Sequence, residues 1–151
     1  MSYYYDTSAL CQNYHREAGS AKVEALLTDP SVRHVISRLT HLEIQSAFAL
    51  KIRTGDIAQS DFDLLRKRFR ADVNQRRFVV VRLLRRHFDR AEKLITKYGP
   101  TIRLRTLDAL HLSIALDLNE TNTAKTFVCA DSVLVQLARQ EGLVVANPLE
   151  P

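Results

Sequence analysis

Two hydrophobic periods alternate along this chain. Short apolar or aromatic runs fall at 2–6, 33–37, 78–81, 126–129 and 143–145. Runs of this length with β-branched or aromatic residues read as strands. Between them, apolar positions return every three or four residues, the helical period. Phe62, Leu65, Phe69 and Val73 give the clearest such stripe. The pattern predicts helices from Ser8 to His15, Ser20 to Thr28, Thr40 to Arg53, Ser60 to Arg76, His87 to Tyr98, Thr106 to Leu118 and 132 to 141. Gly19, Gly55, Gly99-Pro100 and Gly142 punctuate them, and Ser20 is a candidate cap for the second. The run Phe78-Val79-Val80-Val81 is continuous, as expected of a strand buried on both faces. Strands alternating with helices predict an α/β fold with a central, mainly parallel sheet of four to five strands and right-handed crossovers.

No repeat, linker or low-complexity stretch interrupts the 151 residues, so residues 1–151 read as one domain. Asn119–Lys125 is polar and reads as an exposed loop. No apolar run approaches the ~18 residues that span a bilayer, and the N-terminus carries no signal-peptide pattern, so no membrane association is expected. Cys11 and Cys129 form neither a CxxC nor a Cys/His cluster. That usage fits a reducing, cytoplasmic setting and gives no zinc site.

Charge changes the picture through its distribution. The net charge is +5, from 22 basic and 17 acidic residues. Between Arg66 and Arg105 lie 14 of the basic residues but only three acids, Asp72, Asp89 and Glu92. A basic middle beside acidic flanks suits a nucleic-acid partner brought to a cation site, although two solvated helix faces would give the same composition.

Four acids stand at strand-to-helix transitions or in a helix's first turns: Asp6, Glu43, Asp108 and Asp131. In an open α/β sheet the carboxyl ends of the strands form the ligand crevice. Each acid also has a local reading. Asp6 and Asp131 suit an N-cap, Glu43 completes a capping-box spacing with Thr40, and Asp108 sits where a helix dipole favours an anion. Asp108, however, opens the stretch Leu107–Leu116, apolar on nearly every face, where an unpaired carboxylate is costly. Gathered carboxylates repel without a counter-cation. With only oxygen ligands on offer, that cation would be hard, Mg²⁺ with Mn²⁺ able to substitute.

His15, His34, His41, His87 and His111 show no zinc-hydrolase spacing, and no P-loop, GxGxxG or GxSxG motif is present. His111 lies three residues after Asp108 and shares its face, where it would touch substrate or, more in keeping with its apolar surroundings, support the site from behind. Thr7 and Ser8 follow Asp6; their hydroxyls would bond a carboxylate or cap the first helix. Arg105, with Arg103, is placed to hold a substrate backbone.

These contexts resemble the PIN-domain nucleases, and among them the VapC-type toxins of type II toxin–antitoxin systems. The resemblance runs through Tyr5-Asp6-Thr7-Ser8-Ala9-Leu10, Ser37-Arg38-Leu39-Thr40-His41-Leu42-Glu43, Leu104–Leu112 around Asp108, and Phe127-Val128-Cys129-Ala130-Asp131. It implies a PIN-like three-layer α/β/α fold and a Mg²⁺-dependent endoribonuclease, with Asp6, Glu43, Asp108 and Asp131 holding the metal. A water activated by the cation would attack the phosphodiester, leaving 5′-phosphate and 3′-hydroxyl ends. It further implies a cognate antitoxin and a homodimer. One departure is Cys129, where the family usually has Thr or Ser. Two other readings remain open on the residues alone: a nucleic-acid-binding module without catalysis, and a DNA-directed nuclease on the same scaffold. An apolar surplus at Phe48, Leu50, Ile52, Phe62, Leu65 and Phe69 reads as a groove for a partner's amphipathic segment or as a dimer face.

Overall fold

The computed structural model describes all residues, Met1–Pro151. The elements run β1 (Ser2–Tyr5), α1 (Thr7–Tyr14), α2 (Ser20–Thr28), β2 (Arg33–Ser37), α3 (Arg38–Arg53), α4 (Gln59–Asn74), β3 (Val79–Val81), α5 (Arg85–Tyr98), α6 (Thr106–Glu120), β4 (Thr126–Val128), α7 (Ser132–Gln140) and β5 (Val144–Ala146). All five strands pair in parallel in the order β3-β2-β1-β4-β5.

Alternation along each strand builds three layers. Tyr4, Val35 and Phe127 face α5, α6 and α7, packing with Leu94, Leu112, Ile114 and Leu134. Their sequence neighbours Tyr5, Ile36 and Val128 face the other way, onto Leu10, Ile44, Phe48, Leu65 and Phe69 of α1, α3 and α4. The two-residue period of a strand thus feeds two separate cores. This is the predicted α/β/α architecture, with every strand parallel.

The strand order also locates the crevice. From β1 the chain winds outward through β2 to β3, then crosses the sheet and continues on β1's other side with β4 and β5. The winding reverses between β1 and β4, and the gap past their carboxyl ends is where ligands bind in open sheets. Asp6 follows β1 and Asp131 follows β4 by three residues. The Asp6 backbone N–H donates to the Val128 carbonyl at 3.0 Å, closing the two strand ends together.

Several expectations are corrected. The valine run is not buried on both faces. β3 is an edge strand, its three valines are half-buried, and Phe78 packs into the core before the strand begins. α2 is entered through Gly19 at φ 89°, with Ser20 already inside the helix and its Oγ accepting from the Glu17 N–H. α3 starts at Arg38 with Ser37 as its cap, so Glu43 is not the third residue of a helix capped by Thr40, and the capping-box reading falls. The apolar surplus is mostly absorbed: Phe48, Leu65 and Phe69 are core residues. Burial of this kind contributes about 1.5–3 kcal/mol per side chain, so these three are not available to a groove. Leu42, Leu50 and Leu64 on α3 and α4, and Phe88 and Leu107 on α5 and α6, stay exposed.

Candidate active site

The four acids come from four different parts of the fold and line one cavity of about 190 Å³, together with Thr7, Ser8, Arg105 and His111. These eight of the residues singled out in the sequence therefore meet, while Arg103 borders the adjoining hollow. A larger hollow of about 590 Å³ lies at the far end of α1, where Arg16, Arg68 and Arg77 mix with Glu17 and Glu24. It gathers none of these acids.

Asp6 and Asp131 each cap a helix with one carboxylate oxygen and turn the other to a different partner. Oδ1 of Asp6 accepts from the Ala9 N–H at 3.0 Å and caps α1, while Oδ2 accepts the Ser8 hydroxyl at 2.7 Å. Oδ1 of Asp131 accepts from the Leu134 N–H at 2.9 Å and caps α7, while Oδ2 faces the Arg105 guanidinium at 3.5 Å. Capping fixes each carboxylate's rotation, so the second oxygen is aimed by the helix it caps.

Burial separates the acids. Asp6 is 3% exposed and makes no salt bridge to Lys or Arg. Its burial pushes its pKa above the usual aspartate value, against the opposing pull of His111, the Ala9 N–H and the Ser8 hydroxyl. Asp108 is half-buried and is paired: Arg105 Nε donates to its Oδ2 at 2.7 Å. The buried, unpaired carboxylate expected at Asp108 is instead Asp6.

Glu43 sits in the second turn of α3 and is held by its neighbours. Thr7 Oγ1 donates to its Oε1 at 2.9 Å, and His111 Nε2 bonds the same oxygen. Burial works against ionisation of Glu43, but the hydrogen bonds from His111 and Thr7 help bring its pKa below the usual glutamate value. His111 is itself almost wholly buried, and its Nδ1 meets the Tyr4 hydroxyl at 2.7 Å. That places His111 behind the site rather than against a substrate. Tyr4 is a residue that sequence reasoning misses. A tyrosine on a strand reads as core, and nothing in its local sequence points at a histidine 107 residues away.

Cys129 takes up part of the hydroxyl role expected at its position. Its single S–H donates to the Asp131 carbonyl at 3.8 Å, with the Asp6 carboxylate as the alternative acceptor. Burial drives its own pKa far up, so it stays a thiol. Cys11 at the cavity wall is likewise buried, and its pKa is pushed up to about 12, chiefly by that burial. Both cysteines are free.

The donor set suits a hard divalent cation. It offers carboxylate and hydroxyl oxygens, with Asp6 a buried carboxyl group that no Lys or Arg pairs. No three of these side chains already stand at ligand spacing. Mg²⁺ commonly takes one or two carboxylates and keeps several waters rather than using an all-protein cage. The chemistry of the residues therefore fits, with Arg105 supplying the positive charge now beside Asp108 and Asp131.

Comparison with known proteins bears on the fold and the family. No curated protein matches the chain by sequence. Solved structures share its fold at low identity. A VapBC2 complex from Rickettsia felis, bound to a DNA fragment from its promoter, aligns at TM-score 0.64 and 16% identity, over 97% of this chain and 98% of that one. VapC20 of Mycobacterium tuberculosis, a Sarcin-Ricin loop cleaving toxin, aligns at 0.67 and 13%, over 97% and 99%. FitAcB of Neisseria gonorrhoeae aligns at 0.65 and 14%, over 99% of each. The family profile described as PIN domain matches residues 3–140. The chain belongs to the PIN domain family, whose members are generally nucleases.

Proposed function

We propose that this protein is a Mg²⁺-dependent endoribonuclease and the toxin of a toxin–antitoxin pair. The observation that carries the reading is the convergence of Asp6, Glu43, Asp108 and Asp131 on one cavity at the sheet's switch point. Those four side chains would hold the metal, directly or through water. A bound Mg²⁺ supplies Lewis acidity at the phosphate and lowers the pKa of a coordinated water. The protein's part is to aim the carboxylates: the α1 and α7 caps orient Asp6 and Asp131, and Thr7 and His111 orient Glu43. Arg103 and Arg105 border the adjoining hollow of about 210 Å³ beside Asp108 and Asp131. Their charge suits them to a backbone phosphate.

The toxin assignment is supported by the fold shared with toxin–antitoxin proteins. An RNA substrate is supported by the likeness to an RNA-cleaving toxin. The exposed Leu42, Leu50 and Leu64 offer an apolar surface to an antitoxin, and Phe88 and Leu107 offer one to a second copy of the chain.

The test pairs RNA and DNA of matched sequence with the purified protein in Mg²⁺, in chelator, and as Asp6→Asn. RNA cut to 5′-phosphate ends in Mg²⁺ alone, by the unmodified protein alone, is the expected result. Cleavage that survives the chelator or Asp6→Asn overturns the site, and preferential cutting of DNA overturns the substrate. Co-expression with the product of the neighbouring reading frame tests the pair separately. A product that neither co-purifies nor relieves growth arrest removes the toxin assignment and leaves the nuclease.

A further inference from the structure

Behind the cavity a chain of polar contacts links four elements of the fold. The Tyr4 hydroxyl meets His111 Nδ1 at 2.7 Å, His111 Nε2 meets Glu43 Oε1, and Thr7 Oγ1 donates to that same oxygen at 2.9 Å. The four residues belong to β1, α6, α3 and α1. Tyr4 and His111 are each 1% exposed, so neither reaches solvent or substrate.

We propose that Tyr4 and His111 are positioning residues for Glu43, fixing by one hydrogen-bond chain which carboxylate oxygen is left to face the cavity. The inference rests on the reading of Glu43 as a metal-holding acid. An ionised carboxylate only accepts hydrogen bonds, so His111 Nε2 carries its proton toward Glu43. In the neutral ring Nδ1 is then the acceptor, and the Tyr4 O–H is the donor that satisfies it. Both donors fall on Oε1, from Thr7 and from His111, which leaves Oε2 without a protein hydrogen bond. Glu43 also lines the cavity, so Oε2 is the oxygen available there.

Packing alone does not account for the tyrosine. Its ring stacks on Phe127 with centroids 5.7 Å apart and planes at 15°, an arrangement that a phenylalanine would make equally well. What the hydroxyl adds is a partner for a ring nitrogen that would otherwise be buried unsatisfied or free to take the other tautomer. The partner behind a metal-holding side chain sets its orientation and basicity, and losing such a partner typically lowers metal affinity or activity by about 10–100-fold.

Two measurements test this. Long-range proton–nitrogen NMR on the unmodified protein reads the His111 tautomer. The Nε2–H form is expected; an Nδ1–H form or a doubly protonated ring overturns the proposal. That arm needs no variant to fold. Calorimetric titration with Mn²⁺ then compares the unmodified protein with Tyr4→Phe, Glu43→Gln and the double variant, each checked for native circular dichroism. Tyr4→Phe should weaken Mn²⁺ binding by roughly 10-fold or more, and should add nothing once Glu43 is Gln. Unchanged affinity in folded Tyr4→Phe, or a further loss in the double variant, overturns it. If Glu43→Gln itself binds Mn²⁺ as the unmodified protein does, the reading of Glu43 as a metal acid has failed, and the positioning role fails with it. That result is told apart from failure of the chain alone, in which Glu43→Gln loses affinity and Tyr4→Phe does not.

Discussion

Arg105 donates through Nε to the Asp108 carboxylate at 2.7 Å, and its other arm reaches Asp131 at 3.5 Å. Two of the four candidate acids therefore share one guanidinium, and a cation entering the cavity competes with it. The Arg105 side chain is 62% exposed, so solvent screens these interactions.

Replacing Arg105 should consequently help the metal and spare the fold. Arg105→Gln is expected to tighten Mn²⁺ binding by up to about 5-fold, the equivalent of one exposed ion pair of about 1 kcal/mol. The melting temperature should move by no more than about 2–4 °C. Calorimetry and a thermal melt check both. Weaker Mn²⁺ binding would show that Arg105 organises the acids rather than competing for them.

Asp6→Asn should abolish cleavage and stabilise the metal-free protein near neutral pH. Asn also caps helices well, so the α1 cap survives. The sign follows from the raised pKa of Asp6. An acid whose pKa is higher in the folded state opposes folding once ionised. That penalty is full above the raised pKa and vanishes below the unfolded aspartate value. The variant's advantage in melting temperature should therefore shrink as pH falls through this window. A constant advantage would mean that relief of buried charge is not its source.

Asp117 should show the opposite trend. It is buried and accepts from Arg86 Nε at 2.6 Å, from Arg86 Nη2 at 2.9 Å and from His87 Nε2 at 3.1 Å. These partners, Arg86 foremost, hold its pKa below the usual aspartate value. Its stabilisation is present above the unfolded pKa and is lost as pH falls through the lowered folded value. Asp117→Ala should destabilise by about 2–4 kcal/mol at neutral pH, because His87 is left buried without its acceptor. Mn²⁺ affinity of the folded variant should not change. Denaturant melts across pH give the first quantity and calorimetry the second.

RNA binding should weaken with salt through exposed arginines, and the structure narrows which ones. Arg66 is occupied: its Nε donates to Gln45 at 2.8 Å, and its guanidinium lies over the Phe62 ring at 5.2 Å. Arg68 and Arg70 on the same helix are exposed. Reversing these two to Glu should lower the slope of log affinity against log salt by up to about 1.4, near 0.7 for each single-strand phosphate no longer neutralised. Arg66→Glu should change the slope little. Fluorescence anisotropy at several salt concentrations measures this. An unchanged slope for the double reversal would move the RNA-binding surface to Arg82, Arg85 and Arg103.

The order of strands and helices, and the position of the four acids after strands or in the early turns of helices, could be read from the sequence because both depend on local pattern. Periods of two and of three to four, glycines at helix ends, and an acid directly after a strand are visible within about ten residues. The cap of α3 was not decidable in this way. Ser37 and Thr40 are both hydroxyl residues three apart, either can begin a helix, and only packing of α3 onto the sheet selected Ser37. That choice moved Glu43 from a capping role into the cavity. The valine run reads alike on a central or an edge strand, since burial depends on which strands pair beside it; here nothing pairs beyond β3. Phe48, Leu65 and Phe69 could not be assigned to core or groove until two helices were laid against one face of the sheet. Local pattern thus determined which elements exist and where the acids stand along them. The tertiary structure alone decided their partners, Arg105 for Asp108 and Asp131 and the Tyr4–His111 pair behind Glu43. A hydrogen bond between residues 107 positions apart exists only once the chain has brought β1 and α6 together.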